Sequence, residues 1–584
     1  MTSIYHELLK ANPSFRRVLN CLKDRETPIG VYGLPEQVIA PFAETVKEEC
    51  KRPVLLVTWD LARATKLVED LSYFAEGGVY HLAARELFFF QRDAGSHELL
   101  ARRLQTLQAM LNGEGKIIVT TPEALGGIFL KPNYLKNASF TLKVGESMDI
   151  DDLMARLATA GYQRVDFVEG MGQFSVRGGI VDIYPPGNLP CRIEFFDVEV
   201  DSIRLFDSKT QRSVEGVDSV DIFPVHDIIL DERLREIVSK GIEKDLEKTD
   251  RLSLVSKERA MEKFKPLIEG LGTGERVSHT DLFLPYIPKE DRASVIDYFA
   301  EEPIVFLDEP RRMDEIAQKQ ELSLVDTLTD LADAGEILKS HLKIQIDYDV
   351  VKQDLFRFDT VLSSHIVRSK ESVDLKEVAN FHIKTVTSFG GRLRIFKEEI
   401  QRYIEEDYTI VLLGGSEEKT ERLIKTLEDM GFATTPITGE LKPGVIQVDE
   451  GHVHGGFEFE HERFVLLNST EIFGDFKRQK KRKKKRDVID LGTLHVGDYV
   501  VHETHGIGKF WALPISKYKT YRGITFPLCI KTGTSSFYLW ISFPLSTATL
   551  QATMRRRKSI ASTRKPGAIP RRRRSAAWKK WRKI

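Results

Sequence analysis

The sequence predicts a multidomain protein that mixes α/β and α+β units, on three observations. Its 584 residues exceed what one hydrophobic core organises, and 41% hydrophobic with 30% charged residues is an ordinary globular composition. Uninterrupted apolar runs alternate with helical patterns in residues 1–145 and again in 350–475, as buried parallel strands and their crossover helices do. Residues 172–224 instead form a ladder of short apolar runs broken by turn residues, the pattern of an antiparallel sheet.

In residues 1–145, the runs Pro-Val-Leu-Leu-Val-Thr at 53–58 and Lys-Ile-Ile-Val-Thr-Thr at 116–121 read as buried strands. Between them Leu100, Leu104, Leu107 and Leu111 recur at helical spacing, with Gly113 as a stop. Residues 146–232 hold the antiparallel ladder. In Arg192-Ile193-Glu194-Phe195-Phe196, strand alternation places Arg192, Glu194 and Phe196 on one face and Ile193 and Phe195 on the other. The second face is a core face. The first is either a protein-binding surface or a face on which a neighbouring loop covers Phe196.

Residues 233–345 are mixed, with a charged helical part followed by a strand at 303–307. In 350–475, a strand at 408–413 ends in Gly414-Gly415, an amphipathic helix spans 418–430 before Gly431, and another strand lies at 464–467. The linker 476–490 contains nine basic residues in the ten positions 477–486. It reads as a solvated connection, with transient contact to nucleic-acid phosphates as the sharper alternative. In 491–510, Val496, Tyr499 and Val501 among glycines read as strands and turns of a small barrel.

Composition excludes several classes. No apolar run approaches the roughly 20 residues needed to span a membrane, and the first residues lack the pattern of a secretory signal. Cys21, Cys50, Cys191 and Cys529 are far apart, which argues against a disulfide framework or a zinc site and fits a reducing cytoplasm. His452, His454 and His461 lie near Glu450, Glu458 and Glu460, but their spacing matches no metal motif, so the reading is a polar loop and no metal. The formal net charge of -1 hides a break: residues 511–584 contain 18 Lys or Arg and no Asp or Glu, so residues 1–510 carry -19. Alternation and helical spacing are too short-lived in that tail to complete a barrel. The expectation is an aberrant, frameshifted and disordered segment from Trp511 onward, with a natural basic tail as its rival.

Several strings together carry a family resemblance. They are Val-Arg-Gly-Gly-Ile-Val-Asp-Ile-Tyr-Pro at 176–185, Arg-Ile-Glu-Phe-Phe at 192–196, Asp-Ser-Ile-Arg at 201–204 and Phe-Asp-Ser-Lys-Thr-Gln-Arg-Ser at 206–213. This stretch resembles the UvrA-binding domain shared by UvrB and the transcription-repair coupling factors. The family's Phe-Gly-Asp-Glu is Phe196-Asp197-Val198-Glu199 here. The resemblance implies that Arg177, Arg192 and Phe196 are the UvrA-docking anchors. It also implies that the first α/β domain is a degenerate, RecA-like UvrB-homology domain, discontinuous and completed by 233–345. The Glu-Ile-Phe-Gly at 471–474 matches the end of the coupling factors' third domain. The string 494–510, with Gly497, Asp498, His502, His505, Gly506 and Gly508, resembles the start of the CarD-like domain that binds the RNA polymerase β subunit, and the resemblance is expected to stop at Phe510.

Where UvrB carries its phosphate-binding loop, this chain has Gly30-Val-Tyr-Gly33-Leu-Pro35-Glu36-Gln37. Such a loop needs glycine for amide approach, lysine for neutralisation and a hydroxyl for magnesium. Proline removes an amide and glutamate places a negative charge beside a polyanion. The expectation is a recruitment module for transcription-coupled nucleotide excision repair with no catalytic residue and no cofactor. The family's ATP and magnesium belong to a translocase motor whose motifs are not found here. Expected partners are UvrA, an impaired RNA polymerase contact and DNA, directly only through the basic linker. In the family a C-terminal domain covers the UvrA-binding face, so here it is expected to be open. The rivals are a UvrB-like damage-verifying ATPase and a general nucleic-acid binder.

Overall fold

The computed structural model describes residues 2–87, 97–251, 253–273, 280–366, 373–437 and 441–474, and beyond these the strand segments 499–502, 506–509, 524–532 and 535–543. The chain divides into two units, Met1–Asp475 and Phe476–Ile584.

A seven-stranded parallel sheet dominates the first unit. Its strand order is Glu377–Asn380, Ile29–Tyr32, Thr360–Ser364, Ile304–Asp308, Val54–Val57, Ile117–Thr120, Val79–Leu82. The apolar runs are continuous because both faces are covered. Val54 and Leu56 join the core that includes Phe42 and Leu67, while Leu55 and Val57 join the opposite core with Leu104 and Leu107. The leucines spaced along 100–111 lie on the helix His97–Leu111, and Gly113 ends that turn at φ 72°. Ile304–Asp308 returns to the middle of the sheet, between Thr360–Ser364 and Val54–Val57, so the sheet is built from separated stretches of the chain.

One boundary differs from the sequence reading. Thr360–Ser364 and Glu377–Asn380 fall in the segment assigned to the third domain, yet both are strands of the first sheet. Short apolar strands carry no mark of which sheet they join, because pairing is set by distant chain.

The third domain proper is a six-stranded mixed sheet ordered Lys384–Thr385, Phe457–Phe459, Phe464–Asn468, Thr409–Leu413, Ile446–Asp449, Thr434–Pro436. Helices Leu393–Glu405 and Glu417–Asp429 cover it through Phe396, Ile400, Leu423 and Leu427. Helices Glu232–Glu247 and Leu254–Thr273, which precede the strand Ile304–Asp308 in the chain, share a core with Phe264 and Phe283.

The antiparallel ladder is a six-stranded sheet ordered Ser213–Val217, Glu199–Phe206, Cys191–Phe196, Ile180–Ile183, Gln173–Arg177, Gln163–Arg164, with only its last pair parallel. Helix Ile150–Thr159 supplies Leu153 and Leu157 to its core, together with Val181, Ile183, Cys191, Ile193 and Ile203. Phe140–Lys143 and Ser219–Ile222 pair beside it, so this module begins a few residues before 146.

In the second unit, Tyr499–His502 pairs antiparallel with Gly506–Lys509, with His502 opposite Gly506 and Gly508 opposite Val500. Gly497, Asp498, His505, Phe510 and the basic run 477–486 lie outside the described residues. Ile524–Thr532 and Ser535–Phe543 form an antiparallel hairpin of two nine-residue strands. The expectation of a disordered chain from Trp511 onward therefore does not hold for these strands. Among the described residues the strands form two separate pairs and no closed barrel. No helix among the described residues is long and apolar enough to cross a membrane.

Candidate docking face and a remnant phosphate loop

The central strand Cys191–Phe196 is flanked by Ile180–Ile183 and Glu199–Phe206. The alternation read from sequence is the one observed at its start: Cys191 and Ile193 are buried in the core, while Arg192 and Glu194 lie on the outer face. Phe195 packs partly against the core, and Phe196 is 79% exposed. Among the described residues no loop covers it, against the covered alternative that the sequence had left open. The register shifts between Glu194 and Phe195, which pair with Ser202 and Val200 and leave Asp201 as an extra residue. Such a bulge increases local twist and re-aims the end of a strand. Phe196 pairs with Glu199 across the two-residue turn Asp197-Val198, with Asp197 at φ 58°. The family's glycine is replaced here by Asp, one of the few other residues that enter the left-handed region at low cost.

Both predicted arginines converge on one carboxylate. Arg192 donates from Nε to Asp182 Oδ1 at 2.7 Å and from Nη2 to Asp182 Oδ2 at 3.0 Å. Arg177 donates from Nη2 to Asp182 Oδ2 at 2.5 Å. The Asp182 side chain is 1% exposed, whereas those of Arg192 and Arg177 are 20% and 41% exposed. The hydrogen bond to Asp182 holds the Arg192 guanidinium above its ordinary pKa range. The buried ring of Phe206 lies 4.9 Å from the Arg192 guanidinium carbon, a cation–π contact that adds to the ion pair. On the same face, Glu194 accepts from Ser202 Oγ at 3.2 Å and from Arg204 Nη2 at 3.3 Å.

Two members of this site were missed in the sequence. Asp182 is the one acid in the run Ile180–Ile183, and alternation puts it opposite Val181 and Ile183; a lone carboxylate on an otherwise apolar strand was the available signal. Phe167, 60% exposed, lies in a loop with the Arg177 guanidinium 5.2 Å from its ring. No periodicity marks a loop residue.

The remnant phosphate loop has the strand-loop-helix context of its model, between Ile29–Tyr32 and Ile39–Cys50, but its interior is spent on the protein itself. Gly33 has φ 74°, donates its amide to Ser364 O at 3.1 Å, and a Cβ there would stand 2.2 Å from Phe381 O. Close approach of chain to chain explains this glycine. Arg63 donates from Nη2 to Glu36 O at 2.8 Å and from Nε to Asp308 Oδ2 at 3.2 Å. Thr58 Oγ1 donates to the same Asp308 oxygen at 2.9 Å. Burial pushes the Asp308 carboxyl up, against the opposing pull of Arg63 and Thr58. A cavity of about 520 Å³ lies in front, lined by Pro35, Glu36, Gln37, Asp308 and Arg312 among others. These residues do not fit a magnesium nucleotide: Pro35 offers no amide, Glu36 adds a like charge beside the phosphates, and Gln37 stands where a hydroxyl would bind magnesium.

Of the three histidines, His454 is held by carboxylates. The His454 backbone N–H donates to Asp70 Oδ1 at 2.8 Å, its Nδ1 lies 2.9 Å from the same oxygen, and its Nε2 lies 3.0 Å from Glu69 Oε2. Glu458 accepts from the hydroxyls of Tyr403 and Tyr408, and Glu460 pairs with Lys384. Among the described residues, no group of three or more His, Cys, Asp or Glu is arranged to hold a metal.

Two family profiles match this chain. The UvrB interaction domain covers residues 140–227, and the CarD-like/TRCF RID domain covers 494–550. The transcription-repair-coupling factor of Bacillus subtilis (strain 168) is 29% identical over 516 residues, which is 86% of this chain and 43% of the relative. That of Staphylococcus epidermidis is 31% identical over 496 residues, 82% of this chain and 41% of the relative. The chain is a relative of the transcription-repair-coupling factors. It spans about two-fifths of the length of these relatives. The Arg177, Arg192 and Phe196 face falls inside the UvrB interaction match. The CarD-like match runs to residue 550, forty residues past the Phe510 limit set by the sequence reading. Lost acidic residues and a changed composition were the wrong markers there, since the paired strands 524–532 and 535–543 fall within the match.

Proposed function

We propose that this chain recruits UvrA in transcription-coupled nucleotide excision repair, through the face carrying Arg177, Arg192 and Phe196. The observation that carries the reading is Phe196: a large aromatic side chain, 79% exposed at the end of the strand that carries Arg192, in a sheet where two arginines are anchored on one carboxylate. Aromatic and arginine anchors dominate docking energies because they bury much area and are ordered before contact. Residues 494–550, the CarD-like match, are the segment for RNA polymerase. The family's ATP-driven translocation lies outside the role proposed for the described residues, and no nucleotide binds at the Gly30–Gln37 loop. The UvrB-like ATPase reading is disfavoured by Pro35, Glu36 and Gln37, which stand where a phosphate loop needs glycine, lysine and a hydroxyl.

Isothermal titration of the full chain with purified UvrA tests the reading. Saturable binding that Phe196→Ala weakens supports it, and heat no different from buffer refutes it. A titration with magnesium ATP is expected to be flat. Salt-sensitive DNA binding by a fragment ending at residue 475 would favour the general nucleic-acid reading instead.

A further inference from the structure

We propose that Asp182 is the positioning residue of the docking face, the single buried carboxylate that sets both arginines in the orientation a partner meets. This rests on the UvrA reading above. Asp182 stands directly across the sheet from Arg192, and Arg177 pairs with Ile180, two positions along the same strand. Three donor groups from two arginines therefore fill one carboxylate, both of whose oxygens are used. With 1% of its side chain exposed, Asp182 cannot itself reach a partner. Its influence passes through the arginines.

A solvated arginine samples many rotamers, and ordering it at an interface costs conformational entropy. Fastening both guanidiniums to a rigid strand removes that cost before the encounter. Two cations on one anion also leave a positive surplus, and it lies on the flanks that stay accessible beside Phe196. The matching partner surface is a carboxylate next to an apolar socket, a combination that fits this spacing only while the arginines hold their places.

The test uses the full chain and UvrA in isothermal titration, with melting temperature and circular dichroism as fold controls. D182N is expected to weaken binding about tenfold with its fold kept. On an R192A background the same change should weaken binding by less than about threefold, because most of its route is already gone. Parent-like affinity of D182N would overturn the inference, as would an undiminished tenfold loss on the R192A background. If F196A weakens binding while D182N does not, the UvrA reading stands and only this inference falls. If the parent chain does not bind UvrA, both fall. Should D182N fail to fold, Asp182→Ser, which removes the charge but keeps an acceptor, carries the same comparison and the same two outcomes.

Discussion

In the antiparallel sheet, Asp182 holds two arginines whose outer flanks remain open; in the parallel sheet, Asp308 holds one arginine, Arg63, whose side chain is 5% exposed. Both begin as a buried carboxylate at a strand, and both are neutralised by guanidinium. At Asp182 the cations outnumber the anion and stay partly exposed, which is the arrangement the proposed docking role uses. At Asp308 the cation also binds the backbone of Glu36 and is itself buried, so the pair ties strand to loop beside the cavity that Pro35, Glu36 and Asp308 line. Pairing alone does not separate a functional acid from a structural one. The direction in which the unspent hydrogen-bond donors point does.

The largest expected effect breaks the closed pair. Arg63→Ala leaves Asp308 buried and unpaired, and should cost about 3 kcal/mol of stability in chemical denaturation. The loss has a defined pH sense. Burial already raises the folded pKa of Asp308 above its unfolded value, near 3.9 for a free aspartate, and removing Arg63 raises it further. The native state then holds the proton to higher pH, so the deficit of the variant is small near pH 4 and grows as pH rises through the folded pKa. No ATP binding should appear, since Pro35 and Glu36 remain. A variant of parental stability at all pH values would show that the pair does not hold the loop.

A smaller effect, of about 2 kcal/mol, is expected in UvrA affinity rather than stability for Phe196→Ala and for Arg192→Ala. Melting temperature should barely move for Phe196→Ala, because so exposed a ring contributes little to the core. The outcome that would set the two regions on the same footing is a fall in melting temperature with affinity unchanged.

The smallest effect concerns the turn. Asp197→Gly restores the family residue at φ 58°. Relief of the left-handed conformation and the added freedom of the unfolded chain oppose each other. The net stability change should stay within about 0.5 kcal/mol with UvrA affinity unaltered. A large loss of affinity would mean that Asp197 itself touches the partner.

Much of the geometry of the candidate face was legible beforehand. Period-two alternation in 192–196 placed Arg192, Glu194 and Phe196 together, because side-chain direction along a strand is a local property. What alternation could not say was whether Phe196 was covered, since a covering loop comes from distant sequence. Asp182 and the Arg177 contact were hidden for a related reason: cross-strand partners are fixed by register, which turns and packing decide together. The composition break after Trp511 was real, but composition reports average solvation and not pairing, so it gave the wrong limit for a segment that forms strands.

By itself the sequence determined the local elements: the buried runs at 54–57 and 117–120, the helix that Gly113 ends, the ladder of 172–224, and a strand-loop-helix at 29–50 whose loop carries Pro35, Glu36 and Gln37. These follow from periodicity, turn chemistry and the loss of particular functional groups, all readable within a few residues. Tertiary structure decided the rest. It drew Ile304–Asp308, Thr360–Ser364 and Glu377–Asn380 into the first sheet, gave Arg63 to Asp308, and gave two arginines to Asp182. Each of those outcomes joins residues through hydrogen bonds and burial that exist only after the chain has closed on itself, where the free energy of a contact depends on what the rest of the fold has already brought near.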